Sequence, residues 1–181
     1  MMIGTRRVWY IKNMVIIEDT RNQIGKHDLL NKQLKDLGFT VIRSKLYVGD
    51  YARLDNQTIC IDTKKDWLEV ASNMTTQHKR FKAECLRAMD AGIKLVILVE
   101  QDIDCADWTS PRKKNGEPIS QIKGIVLSKA LNTMQERYGV KFIHCDKSAT
   151  AKKIIEILGG TYESENNRRI DKTNIIWKGN V

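Results

Sequence analysis

Three residues stand out by type and spacing: Asp50, Asp62 and Lys64. The apolar run Ile59 to Ile61 ends by presenting Asp62 and Lys64 with one residue between them. On a strand, that spacing sends both side chains out of the same face. Asp50 lies upstream in a Gly-Asp-Tyr turn. Two carboxylates and a lysine can hydrolyse a phosphodiester if the acids hold a divalent cation. The ion neutralises the phosphate and lowers the pKa of the attacking water. Magnesium favours hard oxygen ligands, usually one or two carboxylates plus waters. The lysine at +2 can orient that water or stabilise the pentavalent phosphate.

Other residues extend this set. Glu18 or Asp19 can add a carboxylate, and Arg21 a fork for a phosphate. Taken singly, each acid reads as a solvated turn residue. Together with a lysine at +2 and a basic helix downstream, they form one mechanism. His78 is a candidate general base, but Lys64 already fills the water-handling role. His144, beside Cys145, has no further ligands at metal spacing and reads as structural.

The elements that must position these residues alternate. Met14 to Ile17 reads as a buried strand delivering Glu18-Asp19-Thr20-Arg21 at its end. His27 to Gly38 carries Leu29, Leu30, Leu34 and Leu37 at helical spacing before a glycine stop. Phe39 to Ile42 is a strand. Leu46–Leu54 and Thr58–Thr63, flanking the polar turn "DNQ", read as a hairpin. Asp66–Ser72 and Thr76–Ala91 are helical, and "IKLVILVE" is the strongest buried-strand signal. Asp102 to Gln121 holds both prolines and reads as a long loop or lid. The helix Ile122 to Tyr138, the strand Val140 to Cys145 and the helix Ala149 to Leu158 follow. This predicts one α/β domain over residues 1–160, its mainly parallel sheet flanked by helices, with an antiparallel part at the hairpin. Residues 161–181 read as a polar tail, with Ile175 to Trp177 docking back.

Composition narrows the class. An apolar fraction of 41% is that of a globular chain. The longest apolar run is too short to span a bilayer, and no signal peptide is read. A cytoplasmic protein is expected. The four cysteines lack paired spacing and read as free thiols. A net charge of +9 favours a polyanionic partner. Candidate DNA contacts are Lys65, then His78, Lys79, Arg80 and Lys82 on the helix whose core stripe includes Phe81 and Cys85. Arg112, Lys113 and Lys114 follow in the basic loop, where Trp108 either stacks on an unpaired base or docks on the core. Glu84 can reach the metal's outer shell.

The blocks "VIIEDTR", "LYVGDY", "IDTKKD" and "LVILVE" occur in order and resemble the nuclease domain of XPF-type structure-specific endonucleases, within the PD-(D/E)xK superfamily. The form resembles the compact one of bacteria and their phages, which implies a bacterial or phage-infected cell. The resemblance spans about Val15 to Gln101. It implies a restriction-endonuclease-like fold with a central mixed, mainly parallel sheet. It places Asp50, Asp62, Lys64, Asp19, Arg21 and Asp66 in the catalytic site. Asp50, Asp62 and Asp19 become ligands for Mg²⁺ (Mn²⁺ as substitute), and the substrate becomes branched or flapped DNA. No small-molecule cofactor is implied, and a homodimer through late helices is. Two departures stand out. Asp62-Thr63-Lys64 replaces the family's Glu-Arg-Lys, and residues 148–181 are too few for its tandem helix–hairpin–helix module. These departures leave open an alternative, a catalytically weak or inactive DNA-binding module that recruits a partner.

Overall fold

The computed structural model describes residues 14–160. Its core is a six-stranded sheet in the order β2-β1-β3-β4-β5-β6. Strand β1 (Val15–Asp19) is parallel to β2 (Thr40–Ser44), with α1 (Asp28–Asp36) between them in sequence. Strand β3 (Tyr51–Arg53) is antiparallel to both β1 and β4 (Ile59–Lys64). Helices α2 (Trp67–Met74) and α3 (His78–Asp90) lead to β5 (Lys94–Val99), parallel to β4. Helix α4 (Gly124–Tyr138) leads to β6 (Lys141–His144), parallel to β5, and α5 (Thr150–Ile157) completes the described chain. Every strand but β3 therefore points the same way. This is the mixed, mainly parallel sheet expected from the sequence.

The alternation of side chains along the strands sorts the core into two layers. Ile17, Ala52, Cys60, Leu95, Ile97 and Val99 pack under α2, α3 and α4, with Val70, Phe81 and Leu127. Ile16, Tyr51, Ile61, Val96 and Leu98 face α1 and α5, with Leu30, Leu34 and Ile154. Both faces of the central strands are covered, which is why "LVILV" is continuously apolar. The first layer is called the front below, the second the back.

The expected hairpin is the main local correction. Residues 46–50 are irregular, and only Tyr51–Arg53 forms the first strand. Gly49 takes φ of +74°, and a Cβ there would meet the Ile61 carbonyl oxygen at 2.9 Å. Extended pairing thus begins only after the glycine. Gly38, at φ +90°, follows α1 as expected. Helix α1 buries Leu30 and Leu34, while Leu29 is two-thirds exposed. The 101–123 segment is irregular apart from one bridge, Arg112 with Pro118. Trp108 within it is buried in the front core, so of its two roles the structure takes docking. All four cysteines are free and buried. Among the described residues no helix is long and apolar enough to cross a membrane. The expected tail and the docking of Ile175 to Trp177 lie outside the described residues.

Candidate active site

Because the other strands share one direction, the C-terminal ends of β1, β4 and β5 meet at one edge of the sheet. The start of antiparallel β3 arrives at that same edge. This brings Asp19, Asp50, Asp62 and Lys64 together although 45 residues separate the first from the last. In open α/β sheets such an edge is where ligand chemistry collects.

Asp62 and Lys64 continue the β4 parity of Cys60 and so face the front. Lys64 Nζ donates to Asp62 Oδ1 at 2.8 Å. It also lies 2.6 Å from Oδ2. That second oxygen is buried without a hydrogen bond, because the ammonium meets it outside hydrogen-bond geometry. Burial pushes the Asp62 carboxyl up to about 7; Lys64 opposes the shift, while Asp50 and Glu84 add to it. Lys64 itself is raised. Burial would lower it, but Asp62, then Glu69 and Asp50, outweigh that. The cluster holds more carboxylates than cations, so the ammonium gains from it and the Asp62 carboxylate does not.

Asp50 is held differently. Its Oδ2 accepts from Thr63 N at 2.9 Å and from Thr63 Oγ1 at 2.6 Å. Burial works to raise this carboxyl, but the two Thr63 bonds, helped by Lys64, keep it below the ordinary range. Both bonds land on one oxygen, which leaves Oδ1 for another partner. Thr63, where the resembling family has arginine, is therefore an orienting group for Asp50. Glu84 reaches over from α3, its Oε1 accepting from Gly49 N at 3.2 Å. Sequence spacing could not rank Glu84 or Thr63 with the three principal residues, since neither contact is local.

Asp19 is buried, and its backbone N–H donates to the Asp50 carbonyl at 2.8 Å. Its carboxylate is engaged by Arg21, whose backbone N–H reaches Oδ1 at 3.1 Å and whose Nε reaches Oδ2 at 2.6 Å. Arg21 Nη2 also donates to the Leu46 carbonyl at 3.0 Å. The guanidinium is raised, chiefly by its bond to Asp19. Asp66 caps α2, its Oδ1 accepting from Glu69 N at 2.9 Å. Glu69 in turn stands 3.7 Å from Lys64 Nζ. His78, Lys79, Arg80 and Lys82 are exposed on α3, away from its buried Phe81, Cys85 and Ala88. Lys65, Arg112, Lys113 and Lys114 are exposed as well.

No ready-made group of three or more His, Cys, Asp or Glu able to hold a metal is found among the described residues. Two carboxylates can suffice for magnesium, which keeps several waters. The donors present fit such an ion. Asp62 has only the Lys64 ammonium on its two buried oxygens, Asp50 has one oxygen outside its Thr63 bonds, and their surroundings carry excess negative charge.

The model of the ERCC4 domain matches residues 18–158, which take in every member of this cluster. No curated protein matches the chain. Among solved structures, XPF from Aeropyrum pernix in complex with DNA is similar, with a TM-score of 0.57 and 20% identity. The match covers 81% of this chain and 64% of that one, so the present chain spans less than two thirds of this relative. XPF from the same organism, in a second structure, gives a TM-score of 0.56 and 19% identity over 88% of this chain and 70% of that one. At these identities the likeness establishes the fold.

Proposed function

The chain belongs to the ERCC4 domain family, and from that premise we propose that it is a metal-dependent DNA endonuclease acting on branched or flapped DNA. The observation that carries this reading is the surplus of acid at the sheet edge, where buried Asp62 and Asp50 and half-buried Glu84 share one ammonium, Lys64, while the Arg21 guanidinium is held by Asp19. An ionised carboxylate taken out of water costs several kcal/mol unless paired. A divalent cation would offset that cost.

Asp50 and Asp62 are the residues that would hold Mg²⁺, or Mn²⁺ in its place, with Asp19 adjoining. The bound ion supplies phosphate neutralisation and a water of lowered pKa. The chain's own groups do the rest. Thr63 fixes the Asp50 carboxylate through two hydrogen bonds. Arg21 holds Asp19 and ties it to the 46–50 segment through the Leu46 carbonyl. Asp66 caps α2 immediately after Lys64-Lys65 and so fixes where β4 ends. Lys64, already aimed at Asp62, stands where it can orient the attacking water and donate to the charged phosphate. Lys65, His78, Lys79, Arg80, Lys82, Arg112, Lys113 and Lys114 supply the backbone grip. A homodimer through α4, where Ile125 and Val126 are half exposed, belongs to the same proposal.

The test compares wild type with Asp62→Ala on labelled duplex, flap, fork and four-way junction DNA, in Mg²⁺ and in EDTA. The expected result is cutting that needs the metal, vanishes in the variant and favours branched substrates. Tight binding with no cutting in Mg²⁺ or Mn²⁺ would overturn the catalytic reading. It would favour the second one, a binding module, to which the missing arginine at Thr63 lends support.

A further inference from the structure

The back of the sheet holds a second polar cluster. It lies within the layer that contains Ile16, Leu30, Leu34 and Ile61. Glu18 Oε2 accepts from Asn31 Nδ2 at 2.9 Å, and Asn31 Oδ1 accepts from the Tyr51 hydroxyl at 3.0 Å. Glu18 Oε1 lies 3.4 Å from His27 Nδ1, and Arg43 Nε lies 3.5 Å from Oε2. The His27 and Tyr51 rings sit 5.5 Å apart. Tyr51 is fully buried and Glu18 nearly so.

The position of this cluster is what matters. Glu18 immediately precedes Asp19, and Tyr51 immediately follows Asp50. Glu18 and Tyr51 are register partners across β1 and β3. On the next step the Asp19 N–H donates to the Asp50 carbonyl at 2.8 Å. Successive side chains leave opposite faces of a strand, so Asp19 leaves the face opposite Glu18, while Asp50, just before β3, is tied to the Asp19 peptide through its carbonyl and directly precedes the anchored Tyr51. Asn31, on α1, bonds both anchors at once. The amide is only half-buried, but both of its bonds go to buried side chains, Glu18 and Tyr51, one from each strand. The backbone ladder already sets the spacing of β1 and β3, and Glu18 with Tyr51 is its last pair before the acids; the directional bonds of Asn31 hold that end of the ladder in place.

We propose that Asn31, with Glu18 and Tyr51, is a positioning device that sets the relative placement of Asp19 and Asp50 from behind the sheet. The proposal rests on the reading of the acids as a metal site. Asn31 and Tyr51 touch no substrate; they act through the two strands.

The test measures Mn²⁺ affinity by electron paramagnetic resonance of the free ion, alongside kcat and KM for DNA cutting. The proteins are wild type, Tyr51→Phe, Asn31→Ala and Leu158→Ala. Leu158 is a buried apolar residue of the same layer, so its variant reports what loss of stability alone does. Tyr51→Phe removes a single hydroxyl and serves should Asn31→Ala fail to fold. The expected result is a Kd for Mn²⁺ roughly tenfold weaker in Tyr51→Phe and Asn31→Ala, the low end for loss of a ligand-orienting contact. In both, kcat falls while KM holds, and Leu158→Ala keeps wild-type affinity. If the first two variants bind Mn²⁺ within twofold of wild type, or Leu158→Ala weakens it as much, the inference is overturned while the nuclease reading stands. Wild-type protein that neither binds Mn²⁺ nor cuts overturns both.

Discussion

The front and the back of this sheet bury polar groups at the same level of the same strands, yet the two clusters differ in how they are satisfied. Behind the sheet, Glu18 has an amide donor within 2.9 Å and two basic side chains within 3.5 Å. In front, Asp50, Asp62 and Glu84 bear on one lysine, whose ammonium is the partner of both Asp62 oxygens. The back holds a single carboxylate flanked by an amide and two basic groups, although His27 Nδ1 also lacks a hydrogen bond. The front cluster is short of positive charge. A fold keeps such a deficit at a cost in stability, and the proposed metal would offset it.

The strongest way to break this contrast is to remove the front acid outright. Asp62→Ala should lower metal-dependent cutting roughly 10³-fold, since loss of metal-supplied charge stabilisation costs several kcal/mol of barrier. Single-turnover cleavage of a flap substrate in Mg²⁺ checks it. A change of tenfold or less would mean that Asp62 is not a ligand.

Next in size is Thr63→Val, which keeps the shape of the residue and removes one donor to Asp50 Oδ2. Urea unfolding should show a loss of about 1–3 kcal/mol with an unchanged m-value, and cutting should fall with it. Unchanged stability would show that the backbone N–H alone holds Asp50.

A smaller effect sharpens the charge argument. In EDTA at pH 8, Asp62→Asn should raise Tm by roughly 2–4 °C, because it removes a buried charge that burial and two neighbouring acids disfavour. Mg²⁺ should raise the Tm of wild type more than that of the variant, since binding to the native state adds stability by mass action. A variant less stable than wild type in EDTA would mean that the Lys64 pair outweighs the desolvation.

The smallest effect concerns the surfaces outside both clusters. Lys79→Ala, on the front helix α3, should reduce the slope of log affinity against log salt by about 1. Lys35→Ala, on the back helix α1, should leave it unchanged. Equal effects from both would mean that DNA is not held on the front.

Much of this was legible in the chain itself. Strict alternation around Cys60, Ile61 and Asp62 settles which face Asp62 and Lys64 share, because strand geometry has a period of two. The order of apolar runs and amphipathic helices is enough for a mainly parallel sheet, and the four quoted blocks suffice for the family resemblance. Leu46–Leu54 misled because its apolar pattern ignores the positive φ of Gly49, a backbone property that no hydrophobic period reports. Trp108 had two readings because burial of a loop aromatic depends on what lies beneath it.

What only the tertiary structure decided is the bonding among residues far apart in sequence. That Thr63 grips Asp50, that Glu84 crosses from α3 to Gly49, and that Asn31 joins Glu18 to Tyr51 all depend on register and helix docking. Local sequence sets which side of an element a residue faces, through dihedral preferences and periodicity that act over a few residues. Which groups then meet across the sheet, and whether their charges balance, is set by packing of distant segments against one another, and no local spacing carries that information.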